Sequence, residues 1–249
     1  MSDGTTDGSI LTVQNLSASI NGQQVVEDVS LSVPATGITA VLGRNGVGKT
    51  STLRAILGLI SRSGEIRLAG ERIDGLRTHR IVQSGVGYVP EDREVFARLT
   101  VAENLALAER QREPARELVN ELFPDLVQRR NQMAGTLSGG QQQMLSVARA
   151  LINDNRILLV DEPTKGLAPK IVADVTIALR RAAEKVPILL VEQNLEVVRQ
   201  LAGDAIVISG GRVVHTGRAV EFLDDEALIK RLLGVYAEAP AGNGSEESA

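Results

Sequence analysis

The sequence predicts an α/β fold with a mainly parallel sheet, and three observations lead to that prediction. Strand-like apolar runs in the second half of the chain alternate with helical stretches, which is typical of a parallel sheet wound with helices. A glycine-rich loop connects an apolar run at residues 37–42 with a helical pattern at 51–57. Segments 11–16 and 25–33 alternate apolar and polar residues, as half-exposed antiparallel strands do.

In chain order, the predicted elements form one domain over residues 10–236, with flexible tails at 1–9 and 237–249. The antiparallel strands form an N-terminal β subdomain, and the glycine-rich segment and a short strand at 65–68 follow it. Residues 97–150 have a mostly helical pattern with an apolar stripe, which predicts an inserted helical lobe. The remaining predicted strands lie at residues 157–160, 187–191 and 205–208.

Composition excludes several classes of function. The formal net charge of −4 and the lack of a Lys/Arg cluster argue against binding to nucleic acid. The chain has no cysteine, and His79 and His215 are not spaced as metal ligands. The N-terminal residues lack the apolar core of a signal peptide, and no apolar run approaches the roughly 18–20 residues of a membrane helix. We therefore expect a cytoplasmic protein without a nucleic-acid partner.

The glycine-rich segment at residues 43–50 matches the phosphate-loop pattern G-x-x-x-x-G-K-[S/T]. Glycines allow backbone N–H groups to surround phosphates, Lys49 supplies a cation for the β and γ phosphates, and the Thr50 hydroxyl can bind Mg²⁺. An accidental lysine in a glycine-rich turn is the alternative, and the strand–loop–helix context disfavours it. The predicted nucleotide-binding residues of this segment are Gly43, Arg44, Asn45, Gly46, Val47, Gly48, Lys49, Thr50 and Ser51.

Two adjacent carboxylates, Asp161 and Glu162, follow the apolar run at residues 157–160. The carboxyl ends of the strands form the edge of the sheet where ligands bind in open α/β folds. Asp161 is predicted to hold Mg²⁺, directly or through water, and Glu162 to orient or deprotonate the water that attacks the γ phosphate. The alternative is that the two carboxylates only form a solvated turn at the end of the strand. The phosphate loop predicted in the same sheet argues against this alternative.

Residues 136–143, Thr-Leu-Ser-Gly-Gly-Gln-Gln-Gln, resemble the LSGGQ signature of ABC ATPases. A serine and two glycines that open a helix can bind an anion, although an ordinary helix N-cap is the alternative. The order of phosphate loop, signature and acidic strand resembles that family over about residues 10–235. The resemblance implies a P-loop NTPase of ABC type, in which the signature of one subunit closes on ATP held by the other. The implied signature contacts are Ser138, Gly139, Gly140 and Gln141.

A finer resemblance is to the ATP-binding subunits of bacterial branched-chain amino acid importers, specifically the later of the two ATPase types. It rests on segments 88–96, 99–105, 166–169, 191–194 and 233–235. It implies ATP and Mg²⁺ as cofactors, a second ABC ATPase subunit in a hetero- or homodimer, two integral membrane permease subunits, and indirectly a periplasmic or extracellular solute-binding protein. The chain would then be peripheral on the cytoplasmic face of the inner membrane.

Several residues depart from the general ABC pattern. Glu91 stands where most members place a glutamine that senses Mg²⁺ and the attacking water, so the resemblance implies metal and catalytic roles for it. Gln193 replaces the usual switch histidine, and it can donate a hydrogen bond to the γ phosphate but cannot carry charge. Ala168 replaces an aspartate of the cross-dimer loop, and Ile20 replaces an adenine-stacking tyrosine.

Three alternatives to the importer of branched-chain amino acids stay open at this point. A sister importer of urea, amides or other small solutes would have the same ATPase motifs. The altered Glu91, Ala168 and Gln193 would suit a weakly active regulatory subunit, although the intact Lys49 and Glu162 argue against it. A cytosolic ABC ATPase acting on ribosomes or DNA typically carries two ATPase domains or a coiled-coil insertion, which do not fit in 249 residues.

Overall fold

The computed structural model of the protein describes residues 8–234. The tails expected at 1–9 and 237–249 lie outside this range, except for Gly8 and Ser9, and Ser9 is the first residue of β1. The strands are β1 (Ser9–Ile20), β2 (Gln23–Pro34), β3 (Ile38–Leu42), β4 (Ser61–Leu68), β5 (Glu71–Arg72), β6 (Val86–Val89), β7 (Ile157–Asp161), β8 (Ile188–Val191), β9 (Asp204–Ser209) and β10 (Arg212–Arg218). The α-helices are α1 (Lys49–Ile56), α2 (Thr78–Gln83), α3 (Val101–Ala108), α4 (Arg116–Leu122), α5 (Pro124–Gln128), α6 (Gly139–Leu151), α7 (Pro169–Ala183), α8 (Leu195–Leu201), α9 (Ala219–Asp224) and α10 (Glu226–Leu233).

The strands form two sheets. The smaller sheet is antiparallel, in the order β2-β1-β4-β5, and it is built from the N-terminal segments that alternate in sequence. The larger sheet has the order β10-β9-β3-β8-β7-β6, and only β10 runs antiparallel to its neighbour. The predicted α/β fold with an N-terminal antiparallel part is therefore confirmed.

The larger sheet is buried on both faces. On β7, Leu159 belongs to the core that the smaller sheet and α1 cover, whereas Leu158 and Val160 belong to the core beneath α3 to α7. A third apolar cluster joins β9 to α8, α9 and α10. Double coverage explains why the predicted parallel strands are continuous apolar runs rather than alternating ones.

Strands β6 and β10 were missed by the sequence analysis. Strand β6 has only four residues and contains Gly87, where an added Cβ would lie 2.8 Å from a Leu158 methyl carbon on β7. Strand β10 is the half-exposed edge of the larger sheet, and it pairs with β9 across a turn formed by Gly210 and Gly211. Neither strand is a long apolar run, so the pattern that identified the central strands did not identify these two.

Between residues 97 and 150, where a helical lobe was expected, the structure has α3, α4, α5, a short 3₁₀ helix at Ala134–Thr136 and most of α6. Capping boxes begin α3 at Thr100 and α6 at Ser138, so a side chain satisfies backbone N–H groups at the first turn of each helix. Within residues 8–234, no helix combines the length and apolar character needed to cross a membrane.

Candidate nucleotide-binding site

The phosphate loop lies between the end of β3 at Leu42 and the start of α1 at Lys49. Its glycines are required by the backbone. Gly43 and Gly48 have φ angles of 154° and 104°, and an added Cβ would lie 2.4 Å from Ile208 O or 2.5 Å from Val25 O, respectively. The loop is therefore clamped between β9 and β2, and its N–H groups precede the N-terminus of α1, a favourable position for anions.

Lys49 is the buried cation of this loop, with a relative exposure of 4%. Its Nζ donates hydrogen bonds to the carbonyl oxygens of Gly43, at 2.9 Å, and Arg44, at 3.0 Å. The same nitrogen lies 3.5 Å from Glu162 Oε1, at the end of β7. The ammonium group thus connects the loop to the carboxylate that the sequence analysis assigned to catalysis.

Asp161 is fully buried at the last position of β7. Thr50 Oγ1 donates a 2.9 Å hydrogen bond to Asp161 Oδ1, and the Tyr88 hydroxyl donates a longer one, 3.4 Å, to Oδ2. Burial raises the pKa of Asp161 to about 6, and the nearby carboxylates of Glu91 and Glu162 act in the same direction against the two hydrogen bonds. A nearby cation would reverse this effect by favouring the ionised carboxylate.

The oxygens of Thr50 and Asp161 fit Mg²⁺, since a hydroxyl and a carboxylate are the hard ligands that this ion prefers. Within residues 8–234, no group of three or more His, Cys, Asp or Glu side chains is arranged to hold a metal ion by itself. Mg²⁺ usually takes one or two ligands from a protein and the others from phosphates and water, so the small number of protein oxygens agrees with that mode of binding.

Glu162 is nearly buried and has a positive φ of 43°, unusual for a residue with a side chain. Gln193 Nε2 donates a 2.5 Å hydrogen bond to Glu162 Oε1, and Lys165 Nζ lies 3.3 Å from Oε2. Burial is the largest single influence on the pKa of Glu162 and raises it. The hydrogen bonds from Gln193 and Lys165 and the charges of Lys49 and Lys165 together outweigh burial, so the pKa is lowered and the carboxylate stays ionised at neutral pH.

Lys165 was missed by the sequence analysis. Its Nζ also binds Glu91 Oε1 at 2.5 Å, so one ammonium group connects the carboxylates of Glu91 and Glu162. Lys165 and Glu91 are 74 positions apart in the chain, so no local sequence pattern indicates their contact. Lys165 also follows Glu162 by three residues in the same turn. A lysine three positions after the predicted catalytic carboxylate was therefore the signal in the sequence that could have identified it.

Arg44, a predicted nucleotide-binding residue of the phosphate loop, directs its side chain to the end of α10. Its Nε donates a 2.9 Å hydrogen bond to Leu233 O at the C-terminal end of α10. A cation near the last carbonyl groups of a helix is favourable both as a donor and toward the helix dipole. Leu233 and Gly234 were noticed in the sequence only as part of the segment 233–235, whose last residue lies outside the described range.

The predicted signature residues lie apart from the phosphate loop. Ser138 is the exposed N-cap of α6, where its Oγ accepts from Gln141 N at 3.3 Å and its N–H donates to Gln141 Oε1 at 3.0 Å. Gly140 is buried against Ile171, with 2.3 Å between an added Cβ and a methyl carbon. Among the described residues, no hydrogen bond or ion pair joins 138–141 to 43–51, so the predicted contacts form two groups within one chain.

Ala168 departs from the general ABC pattern, and Phe96 and Leu99 belong to the segments that support the finer resemblance. Ala168 is the N-cap of α7 and supplies no side-chain cap, whereas the aspartate it replaces could do so. Phe96 is 46% exposed, and the Arg149 guanidinium lies 4.9 Å from its ring centre. The Leu99 carbonyl oxygen accepts one hydrogen bond from the backbone N–H of Ala134 and one from the Asn104 side chain.

The chain matches a known protein family and is similar to individual proteins of known name. Residues 26–165 match the model of the ABC transporter family. The chain is 42% identical to the high-affinity branched-chain amino acid transport ATP-binding protein BraG of Pseudomonas aeruginosa over 208 residues, 79% of this chain and 88% of that protein. It is 37% identical to the probable branched-chain amino acid transport ATP-binding protein LivF of Archaeoglobus fulgidus, over 91% of this chain and 99% of that one.

Similarity extends beyond amino acid transport proteins. The lipopolysaccharide export system ATP-binding protein LptB of Haemophilus influenzae is 33% identical over 91% of this chain and 98% of its own length. A solved nucleotide-free ATP-binding cassette from an ABC transporter superposes with a TM-score of 0.78 at 22% identity, over 89% of this chain and 98% of that one, and supports the fold alone. With the family model covering more than half of the chain and the phosphate loop, signature and acidic strand in place, the protein belongs to the ABC transporter family as one of its ATP-binding subunits.

Proposed function

We propose that this ATPase energises the import of branched-chain amino acids. The observation that carries the ATPase part of the proposal is the convergence of Lys49, Asp161 and Glu162 where β3 and β7 end, with Lys49 Nζ 3.5 Å from Glu162 Oε1. The similarity to BraG and LivF supports the choice of solute. A single domain over residues 10–236, with its helical lobe at 97–150, is part of the same proposal.

The proposed residue roles follow the two groups of the site. Residues 43–51 hold the phosphates, with Lys49 as their main cation. Thr50, Asp161 and Glu91 hold Mg²⁺, which when bound supplies neutralising charge to the phosphate oxygens. Ser138, Gly139, Gly140 and Gln141 contact the nucleotide of the opposite subunit. Glu162, Gln193 and Glu91 act in hydrolysis.

Hydrolysis requires that water be aligned with the γ phosphate, since phosphoryl transfer depends chiefly on positioning and charge neutralisation. Glu162 accepts a hydrogen bond from this water, and its lowered pKa keeps it in the accepting form at neutral pH. The Gln193 amide orients Glu162 and provides a donor toward the phosphate. Lys49 exchanges its bonds to the Gly43 and Arg44 carbonyl groups for phosphate oxygens.

The proposed assembly is an ATP-dependent dimer with a second ABC ATPase subunit, docked on two membrane permease subunits and served by an extracytoplasmic solute-binding protein. This arrangement places the chain on the cytoplasmic face of the membrane. The separation of residues 138–141 from the phosphate loop within one chain supports it, since the two groups then complete sites across a dimer interface. The exposed Phe96 is a proposed contact with a permease subunit.

The proposal is tested by reconstituting the chain with its co-purifying membrane subunits in vesicles. We expect ATP-dependent uptake of leucine, isoleucine and valine with the wild type and with the surface control Lys185→Ala, and loss of both ATP binding and uptake with Lys49→Ala. Transport of urea or an amide in place of these amino acids would favour the sister importer, and near-normal nucleotide affinity of Lys49→Ala would contradict the phosphate-loop assignment.

A further inference from the structure

Glu192 is a buried carboxylate to which the proposed reaction assigns no role. It follows β8 directly, is 2% exposed, and precedes Gln193 in the chain. Ionised carboxylates are costly to bury unless donors surround them, so the contacts of this side chain indicate what it does.

All four acceptor positions of the Glu192 carboxylate face donors. Oε1 accepts from Thr164 N, at 3.3 Å, and from Thr164 Oγ1. Oε2 accepts from the backbone N–H groups of Gln193, at 2.7 Å, and Asn194, at 3.0 Å. An ionised carboxylate only accepts and offers about four lone-pair positions, so its capacity matches this set of donors.

The two oxygens hold two different turns. Thr164 lies in the turn after β7, two residues beyond Glu162, and the backbone groups held by Oε2 form the turn after β8, which carries Gln193. Asn194 then caps α8, with its Oδ1 accepting from the N–H groups of Glu196 and Val197. Glu192 is therefore a connection between the segments that supply the two ends of the 2.5 Å contact from Gln193 Nε2 to Glu162 Oε1.

We infer that Glu192 is a positioning residue for ATP hydrolysis: it fixes the turns after β7 and β8 relative to each other and thereby sets the distance between Glu162 and Gln193. This inference rests on the proposed role of Glu162. An amide cannot replace the carboxylate without loss. Its NH₂ group would face the backbone N–H groups of Gln193 and Asn194 or, on the other side, the backbone N–H of Thr164, even if the Thr164 hydroxyl rotates to accept, so one of the two turns would have to move.

The first test compares Glu192→Gln with the wild type in the complete transport complex. We expect kcat for ATP hydrolysis to fall by about 10- to 100-fold, the scale of a catalytic group displaced by a fraction of an ångström to an ångström, while the nucleotide Kd stays unchanged. Kd is measured with a slowly hydrolysed ATP analogue. A lowered melting temperature with unchanged kcat would mean a purely structural role and would overturn the inference.

A double-mutant comparison tests whether Glu192 acts through Glu162. In Glu162→Gln protein, adding Glu192→Gln should not lower the residual single-turnover rate further, since the positioned group is already lost. Independent, multiplicative losses would contradict the inference. If Glu162→Gln alone hydrolyses ATP at the wild-type rate, the proposed function of Glu162 fails instead, which separates the two outcomes.

Thr164→Val carries the test if Glu192→Gln does not fold. It removes the hydroxyl donor to Oε1 and leaves the Thr164 backbone N–H in place. Its matched control is Thr176→Val, where the hydroxyl of another buried threonine donates a hydrogen bond to Val172 O within α7. We expect kcat to fall below the wild-type value with Thr164→Val and to stay unchanged with the control; equal kcat in both threonine variants would overturn the inference.

Discussion

Gln193 Nε2 lies 2.5 Å from Glu162 Oε1, although 31 residues separate them in the chain. The contact joins the ends of the neighbouring parallel strands β7 and β8, and Lys49 approaches the same carboxylate oxygen from the phosphate loop. A glutamine amide can hold this carboxylate by hydrogen bonding but adds no charge to it. The lysines at positions 49 and 165 therefore supply the positive charge that helps to keep Glu162 ionised.

Glu162→Gln is expected to bind ATP normally and to hydrolyse it slower by about 10²-fold or more, the usual scale of a positioned general base. The phosphate loop is unchanged in this variant, so closed, ATP-bound dimers should accumulate. Steady-state hydrolysis and size-exclusion chromatography with ATP measure the two effects. Glu184→Gln, an exposed glutamate at the end of α7, is the control. Turnover at the original rate would show that Glu162 is not the base.

Asp161→Asn is expected to stabilise the nucleotide-free protein at pH 7.5. The folded pKa of about 6 lies above the ordinary value of 3.8, so ionisation of Asp161 lowers stability as pH rises from about 4 to 6, and the loss is complete above that range. The difference between 3.8 and about 6, at about 1.4 kcal/mol per pKa unit, corresponds to a gain in unfolding free energy on the order of 3 kcal/mol.

The measurement for Asp161→Asn is urea unfolding across this pH range, with and without Mg²⁺ and nucleotide. The stability difference between variant and wild type should shrink as pH falls from 6 to 4, and Mg²⁺–nucleotide should stabilise the wild type more than the variant. A difference that does not change with pH would contradict the burial effect on Asp161.

Ser138→Asp is expected to keep α6 intact and to weaken the ATP-dependent dimer. Aspartate caps a helix as well as serine does, so helix stability changes little. Its negative charge, however, lies where the proposed signature contact meets phosphate. Ser138→Asn is the neutral control that also caps the helix.

Hydrolysis is measured in the mixed assembly with the Ser138 change in this chain only. The loss of ATP hydrolysis should be confined to the site that Ser138 of this chain completes. It should be larger for Ser138→Asp than for Ser138→Asn. Full activity at both sites with Ser138→Asp would refute a signature contact across the dimer.

Gly234→Ala is expected to destabilise the protein and to displace Arg44. Gly234 has a φ of 70°, and an added Cβ would lie 1.7 Å from Arg44 Nη2. A left-handed conformation alone costs a non-glycine residue about 1–2 kcal/mol. Gly70→Ala is the matched control, since Gly70 has a φ of 81° with no atom within 4 Å of an added Cβ.

In urea unfolding, the free energy of unfolding should fall further for Gly234→Ala than for Gly70→Ala. The excess should disappear in an Arg44→Ala background, where the clash is removed. Equal losses for the two glycine variants, or an excess that persists without Arg44, would contradict the contact between the phosphate loop and the end of α10.

Local patterns in the sequence were sufficient for the α/β fold and for the chemical groups of the site. The central strands are apolar runs because both faces of the sheet are covered, and the phosphate loop is recognisable because Gly43 and Gly48 leave no room for a side chain. Strands β6 and β10 could not be recognised in the same way, since one is short and contains glycine and the other is a half-exposed edge.

The sequence by itself determined which chemical groups are available: the glycines and Lys49 of the loop, and the carboxylates Asp161 and Glu162 that end a strand. Only the tertiary structure decided how they are held. Lys165 bridges Glu91 and Glu162, and Glu192 connects the turns after β7 and β8. These contacts join residues up to 74 positions apart, and parallel strand order brings them together without leaving any periodic pattern in the chain.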